Sequence, residues 1–184
     1  MAEYDNYGYI TKLDKNEIFV FGSNSQGAHF GGAAAVAVHK FGAKIGQAEG
    51  LQGQSYAINT MGSKDEMVAQ INRFLKFAEE HSNLKFLVTE IGCGIAGYSP
   101  EQIAPHFINH SNNILLPKAF EEIVKSYMEK PIIQELYDGR IIKQENGKFT
   151  ELINGKWVEP ASDFYIVDFL DGKRPSPEKL KGAI

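Results

Sequence analysis

The chain has 184 residues, 43% of them hydrophobic and 23% charged, which is enough apolar material for one ordinary domain with a small appendage or for one larger domain. A net charge of −4 leaves no dense Lys/Arg face for sequence-independent binding of nucleic acid, and no apolar run reaches bilayer length. The lone cysteine, Cys93, excludes an internal disulfide framework and a multi-cysteine zinc site, and the polar start from Met1 to Tyr9 does not read as a secretory signal, so a cytoplasmic location is expected.

In chain order, Glu17-Ile18-Phe19-Val20-Phe21 is a short apolar run that suits a strand buried on both faces of a parallel sheet, ending at Gly22-Ser23-Asn24. A loop from Ser25 to Gly32 follows. The alanine-rich stretch from Ala33 to Phe41 then reads as a buried helix with Gly42 as its cap. Strand, glycine-bearing loop and helix make the first half of a βαβ unit. Gly46 to Gly53 reads as loop and Ser55 to Thr60 as a strand. Ser63 with Glu66 forms a capping-box pattern, after which Met67, Ile71, Phe74, Leu75 and Ala78 recur at helical spacing as far as about His81. Leu84 to Thr89 is the next predicted strand, and a second glycine-rich loop, Gly92 to Tyr98, follows it. Ser99, with Pro100 at the first position and Gln102 three residues on, starts a helix whose apolar face carries Ile103, Phe107 and Ile108. Asn113 to Leu116 reads as a short strand, and Pro117 opens a helix to about Tyr127.

The composition changes after about Lys130. Asn146-Gly147 and Asn154-Gly155 are hairpin-turn dipeptides set between runs such as Arg140-Ile141-Ile142-Lys143 and Lys156-Trp157-Val158, predicting a small antiparallel meander. Phe164 to Val167 reads as a further strand and Pro175 to Ile184 as a loose tail. The expected division is an α/β domain over 1–128 and a β-rich extension over 129–184. Phe149, Trp157 and Tyr165 read as the core of that extension. The functional alternative is an extension that caps the cleft or meets a protein partner.

Both glycine-rich loops follow a strand and precede a helix, so in a parallel sheet both emerge at the carboxyl ends of the strands and can line one crevice. Glycines let the backbone approach a ligand, and amides at a helix N-terminus attract anions such as phosphate. Gly92-Cys93-Gly94-Ile95-Ala96-Gly97 also matches G-x-G-x-x-G. The best helix start, Ser99-Pro100, lies beyond the third glycine, however, and no acidic residue ends a strand about 20 positions on, which argues against a dinucleotide fingerprint. The first loop lacks G-x-x-x-x-G-K-[ST], which excludes a Walker-type site.

The stretch Phe21-Gly22-Ser23-Asn24 through Gly31-Gly32-Ala33-Ala34 resembles the macrodomain segment in which a strand ends in asparagine and a Gly-Gly loop leads into an alanine-rich helix. Gly94-Ile95-Ala96-Gly97-Tyr98 resembles the second loop of that family, of the form G-I-x-G-[YF]. The resemblance covers roughly Ile10 to Tyr127, and it points to a divergent bacterial and phage branch that carries Gly-Leu-Gln-Gly-Gln-Ser-Tyr-Ala, here Gly50 to Ala57. It implies a three-layer α/β/α fold with a mixed sheet, followed here by a small C-terminal antiparallel β appendage. It also implies a site for ADP-ribose or a related nucleotide diphosphate. The first loop, with Gly22, Ser23, Asn24, Gly31 and Gly32, would border the distal ribose. The amides of Gly92, Cys93, Gly94, Ile95, Ala96, Gly97 and Tyr98 would wrap the diphosphate, with the Tyr98 ring near the distal ribose. Gly8-Tyr9-Ile10-Thr11 looks like the family's G-D-I-T, but the adenine-reading aspartate is Tyr9 here. Asp5 or Asp14 would have to substitute, the base would stack on Tyr9, or the ligand is not an adenine nucleotide.

For chemistry, Asn24 either orients a water or ribose hydroxyl or bonds its own loop's backbone, as asparagine does at turns. His29 is a candidate general acid or base at its usual pKa, or a solvent-exposed loop side chain. Glu90 is a base in the crevice or a solvated strand-end carboxylate. Cys93 beside a helix N-terminus would have a lowered pKa, but no histidine with triad-like context is assignable from sequence. His39 and His106 read as structural or exposed, and His81 and His110, near helix ends, as residues in a weak dipole interaction; no pair has metal-ligand spacing with acidic partners, and no metal or cofactor is expected. The functional classes left open are a hydrolase of an ADP-ribose derivative through Asn24 and His29, a nucleotide-sensing module without turnover, and a structural or phage-related protein that keeps the fold alone.

Overall fold

The computed structural model describes every residue except 7, 130, 161–168, 170, 171, 174 and 181–184, and only the backbone of 177 and 178. The chain divides into two compact units, Met1–Glu121 and Glu122–Ile184.

The first unit is built on a mixed five-stranded sheet. Its strands are β3 (Glu17–Ser23), β4 (Gly50–Gln52), β5 (Ser55–Asn59), β6 (Lys85–Val88) and β7 (Ile114–Leu115), in the spatial order β4-β5-β3-β6-β7. β5, β3, β6 and β7 run parallel, and β4 is antiparallel to β5. Two short strands, β1 (Glu3–Tyr4) and β2 (Ile10–Lys12), form a separate antiparallel ribbon. The helices are α1 (Gly32–Phe41), α2 (Lys64–Glu80) and α3 (Pro100–Ile103) with a 3₁₀ turn over Ala104–Phe107, and a fourth, α4 (Lys118–Glu129), runs across the boundary between the units.

Alternation along the strands assigns the helices to faces. Phe19 and Phe21 of β3 and Ala57 of β5 share a buried cluster with Ala34, Ala37 and Phe41 of α1. The opposite face carries Tyr56 of β5 and Phe86 of β6, whose rings pack on Phe74 of α2 at centroid distances of 5.0 and 5.4 Å. Helices therefore cover both faces of the sheet. Phe74 is fully buried, and a truncation to alanine there costs about 3–5 kcal/mol.

The predicted caps form. Gly42 ends α1 in the left-handed conformation at φ 74°, and Ser63 accepts from the Glu66 amide at the start of α2. The helix expected from Ser99 onward is only one turn long and tightens to 3₁₀ geometry at Ala104, because Pro105 has no amide to donate and its ring clashes with the preceding turn. Ile103, Phe107 and Ile108 are buried all the same. The stretch Gly46 to Gly53, expected as loop, contains β4. Buried Gln52 accepts from the Lys44 amide at 2.6 Å and donates to Gln47 O at 3.1 Å, and Gln54 N, just before β5, donates to Phe41 O at the end of α1 at 2.8 Å. Gly53 has φ 59°, and a Cβ there would stand 2.8 Å from the carbonyl oxygens of Phe41 and Gly42.

The second unit is an antiparallel sheet, β11-β10-β9-β8, with β8 Ile132–Glu135, β9 Ile141–Glu145, β10 Lys148–Ile153 and β11 Lys156–Val158. Asn146 and Gly147 have φ 51° and 74°, Asn154 and Gly155 φ 50° and 77°. Left-handed backbone at both central residues is the requirement of the two-residue turn that Asn-Gly predicts. β8 has no counterpart among the predicted strands. The core here is Leu136, Ile142 and Phe169, with Phe149 packed against it. Trp157 is instead half-buried with the Lys143 ammonium 5.1 Å from its ring centroid. Tyr165 and the predicted strand Phe164 to Val167 lie outside the described residues. Part of the expected loose tail is ordered as a 3₁₀ turn over Pro177–Leu180, where Lys179 Nζ donates to Glu135 Oε1 at 2.6 Å. Among the described residues no helix is long and apolar enough to cross a membrane.

Candidate functional site

β3 and β6 are neighbours in the sheet and parallel, so the loops that follow them leave the same edge side by side. The chain from β3 continues toward β5, and the chain from β6 continues toward β7 on the other side. Such a divergence of connections opens a crevice at the carboxyl ends of the strands. A cleft of about 460 Å³ lies there, lined by both loops together with Thr60, Met61 and Thr89 at the ends of the flanking strands. That volume is within the ordinary range of small-molecule sites.

The first loop is fastened by side chains. Asn24 Oδ1 accepts from the amides of Gln26 and Ala28, both at 3.1 Å, so its carbonyl closes its own turn and is not free to orient a water. Ser23 Oγ and His29 Nε2 are 2.8 Å apart, and the ring of Phe21 meets the imidazole edge-on at 4.9 Å. His29 is 4% exposed, which corrects the picture of a solvated loop histidine, and its burial lowers its pKa below the usual imidazole value. Gly27 (φ 60°) approaches the neighbouring segment so closely that a Cβ would stand 2.6 Å from Gln47 N. Beyond it, Gly31 leads into α1 with no side chain capping the first turn. The amides of Gly32, Ala33 and Ala34 donate to no partner among the described residues, and all three residues line the cleft.

The second loop is held mainly by its own backbone. Cys93 N donates to Glu90 O, Gly97 N to Gly94 O and Tyr98 N to Gly92 O, at 3.2, 3.0 and 3.0 Å. That leaves the amides of Gly94, Ile95 and Ala96 unpaired within the loop, and these residues line the cleft. Gly92 (φ 76°) lies against Ile103 and the Tyr98 ring. Tyr98 thus supports the loop from beneath, and Cys93, Gly97 and Tyr98 are not among the lining residues. The Cys93 thiol donates to Ile91 O at 3.6 Å, and its pKa is raised to about 11 by burial and then by the carboxylates of Glu90 and Glu101, opposite to the lowering expected from a helix N-terminus. A thiol in that state is not a nucleophile at neutral pH.

Of the predicted binding residues, Gly22, Ser23, Asn24, Gly31, Gly32, Gly92, Gly94, Ile95 and Ala96 meet at the cleft, as does His29. A Cβ on Gly22 would stand 3.1 Å from Thr60 Oγ1 and 3.4 Å from Gly92 N, a measure of how closely the strand ends and the second loop converge. Glu90 is exposed at the rim, and no lysine or arginine is among the lining residues. Asp5, Tyr9 and Asp14 are not lining residues either. Asp5 accepts from the Tyr9 amide, and Asp14 pairs with the Met1 amine. Thr60, Met61, Thr89 and Phe30 escaped the sequence reading. The position of Thr60 and Thr89 just past strand ends was the available signal. Among the described residues no group of His, Cys, Asp and Glu could hold a metal.

Neither a protein-family model nor a curated protein sequence matches the chain. The cleft presents backbone amides and one helix N-terminus, a feature whose partial positive charge favours negative groups, and no cationic side chain lines it.

Proposed function

We propose that the first unit is a macrodomain-like α/β/α domain whose cleft binds ADP-ribose or a related nucleotide diphosphate. One observation carries the reading: unpaired amides from the loops after two adjacent parallel strands line one cleft of about 460 Å³. The motif resemblance falls on these same two loops. The amides of Gly94 to Ala96 take the diphosphate oxygens, and the Gly31-Gly32 turn with the start of α1 borders the ribose or a second phosphate. No aspartate stands among the lining residues to read an adenine amino group, so the base is held by shape and apolar contact and is weakly discriminated. With its carbonyl engaged in its own turn, Asn24 shapes the loop and does not activate water. This favours binding without turnover through Asn24.

The test is a thermal-shift and calorimetric panel of ADP-ribose, ADP, NAD and ADP-ribose 1″-phosphate. A ligand at 100 times its dissociation constant adds about 2.7 kcal/mol of stability. Stabilisation by ADP-ribose with little preference between adenine and other bases supports the reading. An unchanged melting temperature with the whole panel removes it.

A further inference from the structure

His29 carries two local costs that anion binding does not explain. It holds φ 51°, a left-handed backbone that non-glycine residues seldom adopt, and its buried Nδ1 has no hydrogen-bond partner among the described residues. Such costs gather at sites where geometry is held for chemistry. The other ring nitrogen, Nε2, is 2.8 Å from Ser23 Oγ, and both residues line the cleft. The hydroxyl is also within donating distance of Asn24 O at 3.3 Å, a longer contact than that to Nε2. In the neutral ring that burial favours, the tautomer with the proton on Nδ1 lets Nε2 accept from Ser23 Oγ and leaves Nδ1–H without an acceptor among the described residues. The residues of both loops whose amides have no partner among the described residues line the same cleft, and backbone donors are the groups an oxyanion takes. The rim carries three apolar side chains that the sheet does not bury: Phe30 (81% exposed), Ile95 (84%) and Met61 (50%).

We propose that Ser23 and His29 form a nucleophile–base dyad that hydrolyses small carboxylic esters with an apolar acyl or alcohol part. Ser23 Oγ bonds to the ester carbonyl carbon while His29 Nε2 takes the hydroxyl proton. The bond to the alcohol oxygen then breaks, and the leaving alkoxide receives that proton from His29. Water attacks the acyl-serine, giving its proton to Nε2; Ser23 leaves with that proton and the carboxylic acid departs. Among the described residues Nδ1 has no carboxylate to orient it, so turnover is slow compared with a full triad. The activity requires no nucleotide, so it stands or falls separately from the binding of ADP-ribose.

The experiment treats the full chain with an alkyl fluorophosphonate and locates the adduct by peptide mass spectrometry, alongside hydrolysis of p-nitrophenyl acetate and butyrate. The expected result is a single adduct on Ser23. Hydrolysis should fall by about 100-fold or more in Ser23→Ala and in His29→Asn, which suits the left-handed backbone but removes the base. Thermal melts verify that both variants fold, and wild-type labelling decides the matter if either does not. If the Ser23–His29 bond only ties the loop, the folded protein stays unlabelled at Ser23, or Ser23→Ala hydrolyses as fast as the parent. Either result overturns the dyad. Labelling without ADP-ribose binding overturns only the nucleotide reading, and ADP-ribose binding without labelling overturns only the dyad.

Discussion

The two loops of the cleft reach the same end by different means. The first is tied by side chains: Asn24 to the amides of Gln26 and Ala28, Ser23 to His29, and Gly27 pressed against Gln47. The second, from Gly92 to Tyr98, closes through three backbone bonds and rests on Ile103 and Tyr98. Among the described residues, chain neighbours aside, no heavy atom lies within 4 Å of where a Cβ on Gly94 would be, so its outer surface is open. A loop fastened by side chains links its shape to folding stability, whereas a loop closed by its own backbone can change its outer residues with little effect on the fold. Substitutions in the first loop should therefore report mainly in stability, and those at the tip of the second mainly in binding.

The sharpest break of this contrast is at Gly27. An alanine there meets both the left-handed φ and a 2.6 Å approach to Gln47 N, and urea unfolding should show a loss of about 3 kcal/mol. Wild-type stability would mean that the first loop is not clamped as described. Gly94→Val should leave unfolding within about 0.5 kcal/mol of the parent. It should weaken ADP-ribose by about tenfold or more in calorimetry, since the side chain covers the free amides. Equal affinity would show that the second loop does not hold the phosphates. Asn24→Ala removes an acceptor from two loop amides and should cost about 1–2 kcal/mol in the same unfolding assay. If affinity changes but stability does not, Asn24 contacts the ligand.

Two finer tests concern charge. Burial lowers the His29 pKa, so the unfolded chain binds more protons than the folded one as acidity rises. The stability due to the neutral ring is fully present above the unfolded value near 6.5 and declines as pH falls from there toward the folded value. Melting temperatures recorded from pH 8 to 5 should fall more for the parent than for His29→Asn, and parallel curves would mean that the ring is not buried neutral. Glu90 lies exposed at the rim of a cleft assigned to an anion. Glu90→Gln should tighten ADP-ribose by only about twofold, because a solvated carboxylate acts on a neighbouring charge with about 0.5 kcal/mol.

Much of the framework was legible in the residues because it rests on short-range rules. Asn146-Gly147 and Asn154-Gly155 form the turns their types favour, Ser63 and Gly42 cap the helices they adjoin, and the apolar runs of β3 and β6 become central strands. Gly46 to Gly53 was misread because its three glycines mask a three-residue strand that exists only by pairing with β5. The helix after Ser99 was overextended because Pro105 interrupts an otherwise good apolar pattern. At the site, the glycines and small residues of both loops were visible. The burial of His29 and the upward shift of Cys93 were not, since each depends on atoms brought in from elsewhere in the fold.

Local chemistry in the chain determined where most strands, helices and turns begin and end, and where the two glycine-rich loops fall between them. Tertiary structure decided that β6 sits beside β3, across from β5, and so placed those loops at one cleft. It also decided that His29 turns inward to Ser23. The physical reason is range. Caps, turn residues and periodicity act over a few positions, whereas strand order and desolvation are settled by contacts between segments tens of residues apart.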